Sequence, residues 1–312
     1  MRSCCDNSHE TSAGFRRSGV STVAQTSAVR RDRLGGPAAR GRAYSPRMAK
    51  VDLASGLTLS YADEGDPSGP TVLMLPGPTD SWRSYQPVLD LLPRGVRAVA
   101  VSQRGHGESG KPETGYRVED FAADVVLLLD ALSIERAVLA GHSGSCLVAR
   151  RVALDHPDRV AGLLLEASPT TLRDDARLLR FVETVVTELD DPISPDFART
   201  FVIDTSSENV APDLVDLLVE EILAVPARVW KQTFAGLLAY DDQTELQLIE
   251  APTLLVWGDA DAMVSRAMQD HLAESIRDAD VLVYPGAGHT PRWDDPVRFS
   301  NDLMTFALGA GP

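Results

Sequence analysis

A very short turn between a strand-like and a helix-like segment most constrains the fold of this chain. In the stretch AVLAGHSGSCLVARRVALDHP, residues 137–140 predict a short buried strand, and residues 144–156 have the apolar spacing of a helix. The turn between them, GHSGS, is made of small residues and one histidine. A strand that passes so abruptly into a helix is typical of a sheet with helices packed against its faces.

The rest of the chain supports this interpretation, because strand-like and helix-like segments alternate along most of it. Alternating apolar and polar residues predict a half-buried strand at residues 57–61, and apolar segments predict strands at residues 71–75, 96–101, 160–165, 253–257 and 281–284. Helical spacing occurs at residues 82–92, 118–132, 268–276 and 296–308. The pattern predicts an α/β protein whose sheet is mostly parallel and doubly wound.

One segment interrupts the alternation. After Pro169 come helical stretches at residues 178–189, 214–225 and 229–238, without a convincing buried strand among them. We therefore predict an all-helical cap at residues 169–240, inserted between two parts of one core at 48–168 and 241–312. Six apolar side chains of this cap are candidates for contact with a substrate: Phe181, Phe197, Phe201, Trp230, Phe234 and Leu238.

Composition and charge exclude several classes of function. The formal net charge is -15, and residues 1–47 hold nine of the arginines, so the remainder is strongly acidic and unsuited to nucleic acid. The arginine-rich segment 1–47 is predicted to be disordered, either as an extension or mis-assigned start before Met48 or as a transit peptide. No apolar run reaches the ~20 residues of a membrane span. We expect a cytoplasmic protein without membrane contact.

Cysteine usage predicts neither a disulfide framework nor a metal site. Cys4 and Cys5 lie in the arginine-rich segment, and Cys146 stands alone in the body, where it is expected to be a small buried residue. No phosphate-binding glycine loop or dinucleotide motif is present, so no cofactor is expected. A small-molecule substrate is the expected partner, and a homo-oligomer is compatible with the sequence.

Three residues in separate parts of the chain form a candidate catalytic set. Ser143 occupies the centre of the GHSGS turn, where its hydroxyl is held clear of the backbone above a helix N-terminus. Asp261 follows the strand at 253–257, with Asp259 as a nearer rival, and His289 lies in a glycine-rich loop after the last strand. A serine needs a base that is itself oriented by an acid. The order Ser143, Asp261, His289 fits that requirement.

At this point the chain resembles proteins of the α/β-hydrolase fold with a helical cap. The resemblance spans about residues 50–308 and rests on GHSGS, on SQRGHGES at 102–109, on GDAD at 258–261, and on GAGH followed by DDP. Ser145 departs from the family pattern, which usually has glycine there. Glu166 resembles an alternative acid position of some relatives, such as zearalenone-type lactonases. His106 is expected to shape its turn, and His142, His156 and His271 to serve packing or solvation.

The resemblance also identifies a second departure, in the turn after the strand at 71–75. In the family, an oxyanion receives one backbone N–H from the residue after the nucleophile, here Gly144, and another from the residue that follows a His-Gly pair. Here Pro76-Gly77 stands in place of the His-Gly pair, and Pro78, at the donor position, has no N–H to donate. Either one donor is lost, or Thr79 supplies its N–H or its hydroxyl.

The sequence thus predicts a serine hydrolase that cleaves a small, fairly apolar carboxylic ester or lactone through an acyl-enzyme on Ser143. C–C bond hydrolases and perhydrolases share the same three residues and stay open as alternatives. A ligand-binding regulator of the same fold, with slow or no turnover, is a further alternative that the proline turn favours. Epoxide hydrolases and haloalkane dehalogenases are disfavoured because their pattern has aspartate at the position of Ser143.

Overall fold

The computed structural model describes residues 48–92, 95–207 and 210–310, so the prediction for residues 1–47 lies outside the described part. The strands are β1 Met48–Asp52, β2 Thr58–Gly65, β3 Thr71–Leu75, β4 Arg97–Ser102, β5 Ala137–His142, β6 Val160–Glu166, β7 Thr253–Gly258 and β8 Ala279–Tyr284. The helices are α1 Gln86–Leu89, α2 Val118–Ala131, α3 Ser145–Asp155, α4 Ala176–Thr184, α5 Pro195–Thr205, α6 Pro212–Leu223, α7 Ala227–Ala239, α8 Arg266–Ser275, α9 Pro291–Asp294 and α10 Pro296–Gly309.

The strands form one sheet in the order β1-β2-β4-β3-β5-β6-β7-β8. β1 pairs with β2 and β2 with β4 in antiparallel fashion, whereas every pairing from β4 to β8 is parallel. β3 lies between β4 on one side and β5 on the other, so the chain crosses over β3 after β4 and forms β5 at the centre of the sheet. The predicted mostly parallel, doubly wound sheet is therefore confirmed, and its central strand carries the GHSGS turn at its carboxyl end.

Helices cover both faces of the sheet, which explains why the central strands are apolar on both sides. On one face, α2 and α3 pack over the side chains of Leu73 and Leu139. On the other face, α1 and α10 pack over Met74 and Ala140. β5 and β6 are buried along their whole length. The residues at their carboxyl ends therefore lie in the interior of the protein, at one edge of the sheet.

Four helices, α4 to α7, lie between β6 and β7, and the described residues between these two strands contain no strand. The inserted helical cap is thus present, and the prediction of its limits at residues 169–240 stays a prediction. The cap also contains α5, which the sequence pattern missed. Ser194 caps α5 by accepting a hydrogen bond from the Phe197 N–H, and Pro195 occupies its first turn.

The helix predicted at residues 82–92 is shorter than expected. A single 3₁₀ turn covers Trp82–Tyr85, and α1 then runs only from Gln86 to Leu89. Pro87 explains the break, because it has no N–H to continue the hydrogen-bond ladder of the preceding turn and is tolerated only where a helix begins.

One buried arginine joins the cap to the core at both places where the chain crosses between them. Arg150 on α3 forms two hydrogen bonds with the carboxylate of Asp242, at 3.0 and 2.7 Å, just after α7. The same guanidinium donates to the carbonyls of Pro169, at 2.9 Å, and Thr170, at 3.0 Å, in the segment before α4. Neither Arg150 nor Asp242 is exposed to solvent by more than 1%. The cap is therefore anchored beside the helix that follows Ser143.

Candidate active site

The turn after β5 places Ser143 at the carboxyl edge of the sheet in a strained conformation. Its φ is 53°, in the left-handed region that non-glycine residues rarely adopt. The Ser143 N–H donates to the Glu166 carbonyl at 2.9 Å, which fixes the turn against β6. A Cβ atom on Gly141 would lie 2.9 Å from the Ser145 carbonyl oxygen, so the turn needs glycine there. Such stored strain is typical of functional turns.

The structure brings Ser143, His289 and Asp261 into one chain of hydrogen bonds. Ser143 Oγ lies 2.9 Å from His289 Nε2, and His289 Nδ1 lies 2.9 Å from Asp261 Oδ2. Asp261 Oδ1 accepts the N–H groups of Met263 at 2.7 Å and Val264 at 3.0 Å, so the carboxylate is held from both sides. The imidazole is thereby oriented with Nε2 free to take the serine proton, which is the geometry of a nucleophile, a base and an orienting acid.

The two rival acids have other partners. Asp259 Oδ1 accepts the Gly286 N–H at 2.6 Å and so braces a turn. Glu166 accepts the Arg292 backbone N–H at 2.9 Å and its guanidinium at 2.7 Å, and neither side chain is exposed. Burial raises the pKa of Glu166, while the charge of Arg292 opposes that rise. The contacts therefore direct Glu166 toward Arg292 and not toward His289.

Arg292 is a residue that the sequence did not single out. Its guanidinium lies 4.6 Å from the ring centres of both Tyr85 and Trp293, and it approaches Asp80 Oδ2 at 3.4 Å. Burial raises the pKa of Asp80 to about 7, although Arg292 opposes the rise. Arg292 thus connects the end of β6 and the turn after β3 to the segment that follows His289. Its tertiary contacts, rather than any motif, reveal this role.

The turn after β3 offers few backbone donors. Pro78 has no N–H, and its ring packs against the Ser143 turn, because a Cβ on Gly144 would lie 2.8 Å from Pro78 Cγ. The Thr79 N–H donates to His106 Nε2 at 3.1 Å, and the Asp80 N–H donates to the Gly77 carbonyl at 3.1 Å. The Thr79 N–H, one of the two donors weighed from the sequence, is therefore already engaged.

Ser145 and Pro76, two of the positions that depart from the family pattern, contact each other. Ser145 Oγ donates to the Pro76 carbonyl at 2.5 Å. Gln103 Nε2 lies 2.8 Å from Ser145 Oγ and donates to the same carbonyl at 3.1 Å. All of these groups are buried. The serine hydroxyl therefore has a structural task, which is to hold the proline turn beside the Ser143 turn.

The other histidines that the sequence assigned to shape or packing lie away from the Ser143 hydroxyl or are engaged elsewhere. His142 Nε2 lies 3.1 Å from the His289 carbonyl, and burial lowers the pKa of His142 well below its usual range. His156 and His271 are exposed. Cys146 is fully buried, as expected, and burial raises the pKa of its thiol to about 12.

A cavity of about 520 Å³ opens over Ser143 and His289. Its walls are largely apolar and come mainly from the cap, with Leu172, Phe181, Phe197, Phe201, Phe234 and Leu237 among the lining residues. Of the six cap residues named from the sequence, four line the cavity. Trp230 is buried and packs against three of the cap phenylalanines instead, and Leu238 is not in the cavity wall. Such a cavity suits a small, mostly apolar ligand.

Comparison with known proteins agrees with the fold. Residues 70–296 match the family model described as alpha/beta hydrolase fold. The non-heme chloroperoxidase of Streptomyces lividans is 29% identical over 276 residues, which cover 83% of this chain and 99% of that protein. The 2-(acetamidomethylene)succinate hydrolase of Mesorhizobium japonicum is 29% identical over 254 residues, which cover 77% and 87%.

A solved structure of Est816, titled as an N-acyl homoserine lactone degrading enzyme, superposes with a TM-score of 0.71 at 26% identity. The match covers 83% of this chain and all of that chain. The chain belongs to the α/β-hydrolase fold family, and it is a hydrolase at the level of that family. None of the described helices is long and apolar enough to cross a membrane.

Proposed function

We propose that this protein is a serine hydrolase that cleaves small, fairly apolar carboxylic esters or lactones. The observation that carries the proposal is the continuous hydrogen-bond chain from Ser143 through His289 to Asp261, with 2.9 Å at each link, at the floor of an apolar cavity. Among the described residues, His289 is the one imidazole in the cavity wall that contacts both a hydroxyl and a carboxylate.

In the proposed reaction, Ser143 Oγ bonds to the substrate carbonyl carbon while its proton passes to His289 Nε2. The carbonyl oxygen becomes an oxyanion that accepts the Gly144 N–H. When the C–O bond to the alcohol breaks, His289 returns its proton to the departing oxygen. A water molecule then repeats both steps on the acyl-enzyme and releases the carboxylic acid. Asp261 holds the imidazole in the required tautomer throughout.

The size and lining of the cavity support the proposed substrate class. A volume of about 520 Å³ lies within the range of small-molecule sites, and phenylalanine and leucine side chains dominate its cap side. A lactone has the same electrophilic carbonyl as an ester, and its ring opening leaves both products on one molecule. The name of Est816 as a lactone-degrading enzyme favours including lactones. We further propose that residues 169–240 act as the cap that sets this selectivity.

The test combines active-site labelling with a substrate panel. A fluorophosphonate probe should label Ser143, and p-nitrophenyl esters from acetate to octanoate and γ- and δ-lactones should show turnover on the shorter, apolar members. Ser143→Ala and His289→Ala should abolish both turnover and labelling while the protein stays folded by circular dichroism. His271→Ala, an exposed histidine on α8, is the matched control and should keep full activity.

A ligand-binding protein with slow turnover is the second candidate, and the proline turn favours it. Pro78 cannot donate, and the N–H groups of Thr79 and Asp80 are engaged elsewhere. Losing one oxyanion donor lowers kcat about 10²–10³-fold. If the folded wild-type protein binds lactones or esters but Ser143 is not labelled, the hydrolase proposal is wrong and this candidate replaces it.

A further inference from the structure

Hydrogen bonding around the turn after β3 leaves one side-chain hydroxyl without a partner among the described residues. From Pro78 to Asp80, each backbone N–H is either missing or used within the protein. Thr79 Oγ1 is different: the hydroxyl has no hydrogen-bond partner among the described residues, and Thr79, which is only 2% exposed, is one of the residues that line the cavity above Ser143. Buried hydroxyls nearly always have a partner, so an orphan in a binding cavity indicates a ligand atom.

The backbone of Thr79 is held in a costly conformation. Its φ is 87°, a region that β-branched residues very rarely adopt, and glycine or asparagine would be tolerated there with less strain. Such a conformation persists only when the surrounding structure enforces it, and it is most often found at functional sites. Here the enforcing contact is the 3.1 Å hydrogen bond from the Thr79 N–H to His106 Nε2.

His106 is well suited to hold that N–H. Its Nδ1 lies 2.8 Å from the Arg104 carbonyl, which can only accept, so Nδ1 carries the proton and Nε2 presents a lone pair. Burial lowers the pKa of His106 to about 4, so the ring is neutral near pH 7. The contact occupies the Thr79 N–H, while the hydroxyl of the same residue has no partner among the described residues.

We propose that the Thr79 side-chain hydroxyl is the second donor to the oxyanion formed on Ser143, in place of the backbone N–H that Pro78 lacks. His106 is the positioning residue that fixes the Thr79 backbone for this task. The inference rests on the proposed function. A Cβ on Gly144 would lie 2.8 Å from Pro78 Cγ, so the turn after β3 packs directly against the residue that supplies the first donor. The hydroxyl donates a hydrogen bond and keeps its proton.

The experiment compares hydroxyl removal at Thr79 with the same change elsewhere. Thr79→Val keeps the shape of the side chain and should lower kcat/KM for a p-nitrophenyl ester about 10²-fold, the effect of one lost oxyanion donor. Thr79→Ser should retain most activity. Thr233→Val, which removes another buried unpartnered hydroxyl that lies outside the cavity, is the matched control and should change kcat/KM less than threefold.

A tetrahedral analogue separates an oxyanion contact from a structural role. A trifluoromethyl ketone forms an oxyanion on Ser143, so Thr79→Val should weaken its inhibition by the same factor as kcat/KM, while a ground-state competitor binds as before. His106→Leu should lower kcat/KM about tenfold with the same analogue signature, and His106→Gln, which restores an acceptor, should recover activity. Thermal unfolding verifies that each variant is folded.

The outcomes are distinct. If Ser143 is labelled and Thr79→Val retains wild-type kcat/KM and analogue affinity, the inference is overturned while the proposed function stands. Thr290→Val removes the hydroxyl of another residue in the cavity wall that has no hydrogen-bond partner among the described residues. If Thr290→Val lowers kcat/KM and analogue affinity while Thr79→Val does not, Thr79 is likewise excluded as the second donor. If wild-type Ser143 is not labelled, the proposed function fails and the inference fails with it.

Discussion

The buried ion pair between Arg150 and Asp242 gives the sharpest stability prediction. Arg150→Met removes the guanidinium and leaves Asp242 as an unpaired carboxylate that is 1% exposed, and it also deprives the Pro169 and Thr170 carbonyls of donors. Removing one partner of a buried pair costs about 3–5 kcal/mol. We therefore expect a loss of about 4 kcal/mol, a large share of the roughly 5–15 kcal/mol that stabilises a typical folded protein.

The assay is equilibrium unfolding in urea followed by circular dichroism. With an m-value of about 3 kcal/mol/M for a chain of this size, the midpoint should fall by about 1.3 M. The double variant Arg150→Met with Asp242→Leu replaces both charges by apolar side chains and should recover most of the loss, since such replacements are often neutral. Arg199→Met is the control, because Arg199 and Asp216 are 52% and 62% exposed and such a pair contributes about 0–1 kcal/mol.

Two results would refute this reasoning. A loss below about 1 kcal/mol in Arg150→Met would mean that water reaches Asp242 and that the site is not desolvated. A double variant as unstable as the single one would mean that packing or the lost carbonyl contacts, rather than the unpaired carboxylate, carry the cost.

Two further predictions concern the acid and the pH dependence. Asp261→Asn should lower kcat about 10⁴-fold because His289 loses its tautomer control, whereas Glu166→Gln should change kcat less than tenfold in steady-state assays; the reverse order would make Glu166 the acid. The pKa of His106 is about 4 in the folded protein and about 6.5 in the unfolded chain. Between these pH values the unfolded chain binds a proton that the folded protein does not, so the free energy of unfolding decreases as the pH falls from about 6.5 to about 4. The full decrease is about 3 kcal/mol. Urea unfolding at pH 7 and pH 5 should show a smaller decrease in the free energy of unfolding for His106→Gln than for wild type; equal decreases would contradict the shifted pKa.

The parts of the fold that could be predicted from the sequence are those where burial requires a continuous or periodic apolar pattern. The strand at Thr71–Leu75 was predicted at its observed limits, and the segment before Ser143 was predicted as a buried strand because both of its faces are covered. β1 was missed because it is an edge strand whose residues alternate between exposed and half-buried, so it has no continuous apolar run. Local propensity alone does not reveal such a strand.

For the candidate site, the sequence could supply the residues but not their partners. The order of Ser143, Asp261 and His289 along the chain predicted a contact that the structure shows. The roles of His106 and Arg292 depend on contacts across 27 and 126 residues of chain, to Thr79 and Glu166 respectively, and no periodic pattern encodes them. Whether Thr79 would offer its N–H or its hydroxyl was equally open until the acceptor of the N–H was known.

The hydrogen bonds of Ser145 also bear on how this chain can evolve. Because Gln103 and Ser145 bond to each other and converge on the same Pro76 carbonyl, a change at either position deprives the other of a buried partner. The two positions should therefore be epistatic: mutations that are harmful singly should be tolerated together. Substitution of Pro76 itself leaves both donors their acceptor, because that acceptor is a backbone carbonyl that every residue carries. The coupling therefore constrains positions 103 and 145 and leaves position 76 free to change.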